Sequence, residues 1–162
     1  LQELPIKIFV PRVRVLDQQL RLSCKVGSYG YESLQILKWQ KEGKDWDILW
    51  VDPNQNAQEL TTANIFFIKE WSKWHTPPAS VCYAGTTREA LMQWRKGETD
   101  FSETLNGADD LDSPLLFTNS ISLLGLAWNA SQNKTSFKYQ EKIKEIRSEF
   151  FYHLCRLGQT HL

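Results

Sequence analysis

Residues 45–94 constrain the fold of this chain more than any other stretch, because their pattern predicts a strand, a helix, a strand and a helix in succession. The expected strands are residues 47–52 and 79–84, and the expected helices are residues 56–74 and 86–94. Two strands joined by a helix usually lie parallel, with a right-handed crossover between them. We therefore expect Asp52 and Gly85, at the ends of the two strands, to lie on one edge of a sheet.

The helix expected at residues 56–74 depends on apolar residues that recur at steps of three and four. They are Leu60, Ala63, Phe67, Trp71 and Trp74. This spacing is typical of an amphipathic helix, and polar residues such as Glu59 and Lys69 fall mostly off the apolar stripe. The segment His75-Thr76-Pro77-Pro78 then ends the helix, because proline cannot extend it.

Strand patterns also dominate the first third of the chain. Alternation predicts a strand at residues 6–10, which Pro11 either ends or makes an edge strand, and a β-hairpin at residues 12–26 with one solvated face. A further strand is expected at residues 34–39. The tight connections between these strands indicate an antiparallel or mixed region.

The C-terminal part adds one or two strands within residues 115–128 and a long amphipathic helix at residues 137–157. The elements together predict an α/β (or α+β) fold. It has a single mixed β-sheet with antiparallel N-terminal strands, β–α–β units in the middle and a long C-terminal helix packed on the sheet. We expect the 162 residues to form a single globular domain, and the missing initial Met suggests a module of a larger protein.

Composition argues against several classes of protein. Nineteen basic and nineteen acidic residues cancel, so no global field attracts nucleic acid, and no apolar run approaches the ~20 residues of a transmembrane segment. The three cysteines, Cys24, Cys82 and Cys155, have neither zinc-site nor disulfide-framework spacing. They favour reduced thiols in a cytoplasmic protein, while one disulfide in a secreted or periplasmic protein stays open as the alternative.

A candidate ligand site lies where the second expected strand leads into a helix. The turn at Gly85, Thr86 and Thr87 offers backbone amides and a helix N-terminus to a carboxylate or phosphate, with Asp52 as a polar wall. The turn has neither a dinucleotide fingerprint nor a P-loop, so a purely structural turn is the simpler interpretation. The predicted ligand-binding residues are Asp52, Cys82, Gly85, Thr86 and Thr87.

The sequence gives little support for a catalytic residue or a metal site. Cys82 and His75 suggest a nucleophile–base pair, but burial in an apolar strand would raise the pKa of that thiol and block access to it. The histidines and cysteines are scattered, without metal-ligand spacing. The sequence therefore predicts no catalytic residue, no metal site and no cofactor.

Aromatic residues suggest a different kind of function, since the chain contains seven Trp. Most of these rings are expected in the core. Trp46 and Trp74 lie next to expected turns, where the alternative to a core position is an exposed ring that anchors a partner, and the polar loop at residues 95–112 carries Asp109 and Asp110. These features favour a non-catalytic protein-interaction or regulatory domain whose partner is another protein or domain. The alternative is a small-molecule binding protein or enzyme with a pocket at the C-terminal ends of the strands at residues 47–52 and 79–84.

Overall fold

The computed structural model describes residues 6–13, 30–44, 46–107, 115–130 and 137–159. The strands in these ranges are β1 Ile6–Val13, β2 Trp46–Val51, β3 Ala57–Leu60, β4 Asn64–Glu70, β5 Lys73–Thr76, β6 Asp100–Glu103, β7 Leu115–Asn119 and β8 Leu123–Asn129. The helices are α1 Gly30–Lys41, α2 Thr86–Trp94 and α3 Phe137–Gln159.

The strands form one mixed sheet in the order β3-β2-β1-β8-β7-β4-β5-β6. The parallel neighbours are β1 with β2, β1 with β8, and β5 with β6, whereas the other neighbours are antiparallel. The edge strand β3 also turns directly into β4, through a bridge between Leu60 and Ala63. The sheet therefore curls, and its edge strand β3 comes next to β4 from the other half of the sheet.

The curl gives the sheet two buried faces. Side chains alternate along β4, so Ile65 and Phe67 point to one face and Phe66 and Ile68 to the other. The first pair belongs to a core cluster that also includes Phe9, Leu49, Val51, Leu60, Leu115 and Phe117. The second pair belongs to a cluster beneath α2 and α3, with Trp74, Leu91, Leu116, Leu126, Ile143, Ile146 and Phe150.

The C-terminal helix α3 packs on the sheet as its sequence pattern predicts. Ile143, Ile146 and Phe150 are fully buried against β8 and its neighbours. Charged residues between them form exposed pairs such as Lys142 with Glu145, at 2.6 Å. Among the residues that the structure describes, no helix combines the length and apolar character needed to cross a membrane.

The predicted fold class, an α/β protein with one mixed sheet and a C-terminal helix packed on it, is therefore confirmed, but the helix expected at residues 56–74 is wrong. These residues form β3, β4 and the start of β5. The cause is the continuous apolar run from Ile65 to Ile68, which is buried on both faces of the sheet. A strand buried on both sides has no polar face. Apolar residues therefore also occur at steps of three and four along it, and this spacing resembles that of an amphipathic helix by coincidence.

The parallel crossover also lies elsewhere than expected. Residues 79–84 form a turn and an irregular segment rather than a strand, and residues 34–39 lie inside α1. The crossover is β1–α1–β2, so the antiparallel pairing expected for the N-terminal strands is wrong for β1. Pro11 does not end β1, because β8 pairs only with residues 6–9 and needs no hydrogen bond from Pro11. Residues 14–26 of the expected hairpin lie outside the described residues.

Candidate functional site

The loop between β5 and α2, residues 77–85, is fixed at its end by side chains of two strands. The Tyr83 carbonyl accepts a hydrogen bond from Asn64 Nδ2 at 2.6 Å, and the Tyr83 N–H donates to Glu59 Oε2 at 3.0 Å. Gly85 then passes so close to Asn64 that a Cβ added there would overlap Asn64 Oδ1. The backbone φ of Gly85 is an ordinary −72°, so space rather than conformation requires glycine here.

Helix α2 starts directly after this close contact, and its first backbone N–H groups have no side-chain cap. Gly85 occupies the N-cap position, and no side chain makes a cap hydrogen bond there. Uncapped N–H groups and the positive end of the helix dipole attract anions, above all phosphates. An open cavity of about 420 Å³ extends from this end along the helix, and its lining residues are Ala84, Gly85, Thr86, Arg88, Glu89, Ala90 and Gln93.

A buried arginine lies behind the same helix end. Arg88 is 3% exposed, and it donates from Nε to Thr76 Oγ1 at 3.3 Å and from Nη2 to the Pro77 carbonyl at 3.1 Å. Its Nη2 also pairs with the carboxylate of Glu103 on β6. Thr76 in turn donates its hydroxyl to the Ile65 carbonyl at 2.8 Å. The first turn of α2 is thereby fixed to β4, β5 and β6.

The structure does not bring Cys82 and His75 together as a nucleophile and its base. Cys82 is buried, with its Sγ 3.4 Å from the Pro77 carbonyl, and burial raises the pKa of its thiol to about 11. His75 Nδ1 instead lies 2.8 Å from Ser102 Oγ and 3.1 Å from Thr104 Oγ1. Cys82 therefore supports the loop as a neutral thiol.

We expect iodoacetamide at about pH 8 to modify Cys155 in the native protein and to leave Cys82 unmodified, because only a thiolate reacts. Cys155 is exposed, whereas Cys82 is buried and keeps its proton well above that pH. Peptide mass spectrometry after a short exposure measures both positions. In guanidinium chloride both should react, and rapid modification of Cys82 in the native protein would contradict its burial.

Three of the five predicted ligand-binding residues, Gly85, Thr86 and Thr87, do lie together at the start of α2. Asp52 does not join them in a shared rim, and that expectation is wrong because residues 79–84 are not a strand parallel to β2. Its carboxylate instead accepts hydrogen bonds from the N–H and Nδ2 of Asn56, at 2.8 and 2.9 Å, in the turn between β2 and β3.

Glu59 is a candidate site residue that the sequence pattern does not reveal. Its contact with the Tyr83 N–H joins residues 24 positions apart and exists only because β3 lies beside the 77–85 loop. In the sequence Glu59 is one of several polar residues in what looked like a helix. No local signal distinguished it from a solvated side chain.

The predicted partner-binding residues lie in different environments. Trp74 is fully buried between Phe66 and Phe101, so it is not available as an exposed anchor. Trp46 is half-buried and packs edge-on against Trp39. Asp109 and Asp110 lie outside the described residues.

Solved structures of aminotransferases and of a lyase share this fold. A hypothetical aminotransferase from Mycobacterium tuberculosis, in a PLP-bound form, has a TM-score of 0.75 at 17% identity and covers 89% of this chain and 54% of that one. A putative 4-amino-4-deoxychorismate lyase from Legionella pneumophila has a TM-score of 0.71 at 18% identity, covering 92% and 57%. The branched-chain aminotransferase of Thermoproteus uzoniensis has a TM-score of 0.69 at 17% identity, covering 88% and 50%. This chain thus spans about half the length of these proteins.

Comparison of sequences leads to the same group of proteins. No curated protein matches the chain, but residues 2–125 match the family described as amino-transferase class IV. The hypothesis of a non-catalytic protein-interaction domain is therefore wrong, and the alternative, a small-molecule enzyme, agrees better with these findings. Since the match covers most of its residues, the chain belongs to the amino-transferase class IV family.

Proposed function

We propose that this chain is the cofactor-binding part of an enzyme that uses pyridoxal phosphate (PLP) to transfer amino groups. Membership of the family supports this, as do the structural neighbours crystallised with PLP. The observation that carries the proposal is the uncapped N-terminus of α2 beside the Glu59 carboxylate. An uncapped helix N-terminus can bind the phosphate of PLP, and a carboxylate can bind the nitrogen of its heterocyclic ring.

The start of α2 suits the phosphate. The backbone N–H groups of Thr86 and Thr87 belong to the first turn, where they have no partner within the helix. Both residues also carry a hydroxyl that can donate a further hydrogen bond. Because Gly85 has no side chain, the loop can pass directly against Asn64, and this contact fixes the position of the first turn of α2.

The carboxylate of Glu59 is placed to bind the pyridine ring of PLP. The two residues from Tyr83 to Gly85 span at most ~7 Å of extended chain, so the Glu59 carboxylate bound to Tyr83 lies close to the phosphate position. PLP enzymes hold a charged side chain against the nitrogen of the pyridine ring. Glu59 is half-buried, and a carboxylate there would keep a proton on that nitrogen.

A lysine amine is the remaining requirement, because PLP enzymes hold their cofactor through one. The described lysine side chains are all exposed: Lys38, Lys41, Lys44, Lys69, Lys73, Lys96, Lys142 and Lys144. We propose that a lysine of this chain carries the cofactor, and borohydride reduction of the PLP-loaded protein followed by peptide mapping identifies which one.

When bound, PLP supplies an electron sink for the carbanion formed next to the amino nitrogen of an amino acid. The chain's own groups do the positioning. The first turn of α2 would hold the phosphate, the Glu59 carboxylate would accept a hydrogen bond from the protonated ring nitrogen, and Asn64 keeps the loop between them in place. The amino acid or other amine that the enzyme accepts depends on residues beyond this constellation.

We expect Glu59→Gln to weaken PLP binding by about ten- to hundredfold, because a charge-assisted hydrogen bond to the ring nitrogen is replaced by a neutral one. Titration followed by the absorbance of the cofactor measures the dissociation constant. Glu70→Gln is the matched control, since Glu70 is exposed at the far end of β4. A wild-type protein that binds no PLP, or a Glu59→Gln variant with unchanged affinity, would overturn this assignment.

A further inference from the structure

We infer that Arg88 and Glu103 tune the affinity of the α2 N-terminus for a phosphate in opposite directions, Arg88 raising it and Glu103 lowering it. This inference rests on the proposed function, because it concerns the same anion site. Neither residue needs to touch the ligand, so both are positioning residues that act through the local electric field.

The location of Arg88 is electrostatically unfavourable for a helix on its own. A cation in the first turn opposes the positive end of the helix dipole, where acidic residues are the stabilising choice. Burial adds a desolvation penalty, and the Arg88 side chain is almost completely buried. A bound phosphate dianion would offset both costs.

Glu103 compensates the charge of Arg88 only in part. Its carboxylate pairs with Arg88 Nη2, but the Glu103 side chain is 46% exposed whereas that of Arg88 is 4% exposed. Water screens a half-exposed carboxylate far more than it screens a buried guanidinium. The Arg88–Glu103 pair therefore contributes a net positive charge at the start of α2.

Hydrogen bonds to Thr76 and to the Pro77 carbonyl hold the guanidinium behind the helix end. Since these bonds keep Arg88 from swinging toward a ligand, its charge stays at a constant distance from the first-turn amides. The only acidic residue in the first turn of α2 is Glu89, which is exposed and pairs with Gln93. Glu103 is therefore the carboxylate that most directly opposes Arg88.

The directions in which two substitutions change the phosphate affinity distinguish this inference from a purely structural role of the two residues. Arg88→Gln removes the buried cation and should weaken phosphate binding. Glu103→Gln removes the carboxylate that partly compensates the charge of Arg88 and should strengthen phosphate binding. If the pair only held the loop together, both substitutions would loosen the site and both would weaken binding.

The experiment compares the affinities of PLP and of phosphate-free pyridoxal for the wild type, Arg88→Gln, Glu103→Gln and Arg88→Lys, titrated by tryptophan fluorescence. We expect PLP to bind roughly tenfold more weakly to Arg88→Gln and severalfold more tightly to Glu103→Gln, as for one charge acting on a nearby dianion. Arg88→Lys should stay close to the wild type, because it keeps the charge. Pyridoxal should bind all four proteins alike.

Thermal unfolding of each variant shows whether it is folded. If Arg88→Gln does not fold, Glu103→Gln decides alone: tighter PLP binding supports the inference, and unchanged or weaker binding overturns it. Equal losses for PLP and pyridoxal in both glutamine variants would also overturn it. A wild type that binds PLP no better than pyridoxal would overturn the phosphate site itself, which distinguishes a failure of the proposed function from a failure of this inference.

Discussion

Replacing Gly85 by alanine should destabilise the protein by about 2–4 kcal/mol and abolish PLP binding, because the added methyl group overlaps Asn64 Oδ1. Asn64 has little room to move aside. It is 6% exposed, and its amide donates to the Tyr83 carbonyl. Displacing Asn64 would leave buried polar groups unpaired and would shift the first turn of α2, whose amides we propose hold the phosphate.

Guanidinium unfolding measures the loss of stability of Gly85→Ala, and a PLP titration measures the loss of binding. Gly107→Ala is the matched control, since a Cβ at Gly107 meets no atom within 4 Å. Combining Gly85→Ala with Asn64→Ala should cost less than the sum of the two single changes, because the second change removes the overlap. A Gly85→Ala protein as stable as the wild type would show that the loop and β4 are not in such close contact.

Replacing Trp74 by alanine should cost about 3–5 kcal/mol, a large part of the stability of a typical domain. Trp74 is fully buried, and its ring meets Phe66 at 6.2 Å and Phe101 at 5.7 Å between centroids. The guanidinium of Arg95 lies 5.4 Å from the centroid of the same ring. The alanine side chain would leave a large cavity at the centre of the cluster beneath α2 and α3.

Trp74→Phe is the informative companion variant. The indole Nε1 of Trp74 has no hydrogen-bond partner among the described residues, so phenylalanine loses volume but no polar contact. We expect it to retain most of the stability, and we expect Trp46→Ala to cost much less than Trp74→Ala because Trp46 is only half-buried. Denaturant midpoints rank the three variants, and equal losses for Trp46→Ala and Trp74→Ala would contradict the observed burial.

The sequence predicted elements whose pattern is local and repeated. Ile143, Ile146 and Phe150 recur at helical spacing among charged residues, and α3 forms there. The helix expected at residues 86–94 is likewise confirmed as α2, although no threonine caps it. The strand expected before it was wrong, but that error did not affect the turn.

The sequence could not predict what depends on pairing between distant segments. The apolar run of β4 is compatible with a buried strand and with a helix until β5 and β7 are placed on either side of it. The contact between Glu59 and Tyr83 arises from the curl of the sheet. The proposed cofactor could not be inferred from the sequence for the same reason, since the groups that we propose hold it come together only in the folded chain.

The central position of β1 has a consequence for how the protein assembles. One of its two neighbours is β8, where Ile6 pairs with Leu126, about 120 positions later in the sequence. During synthesis, β1 therefore emerges from the ribosome long before β8, and until β8 follows, one side of β1 lacks that neighbour. Such long-range contacts slow folding, so nascent chains depend on protection of this open side of β1 until β8 has been made.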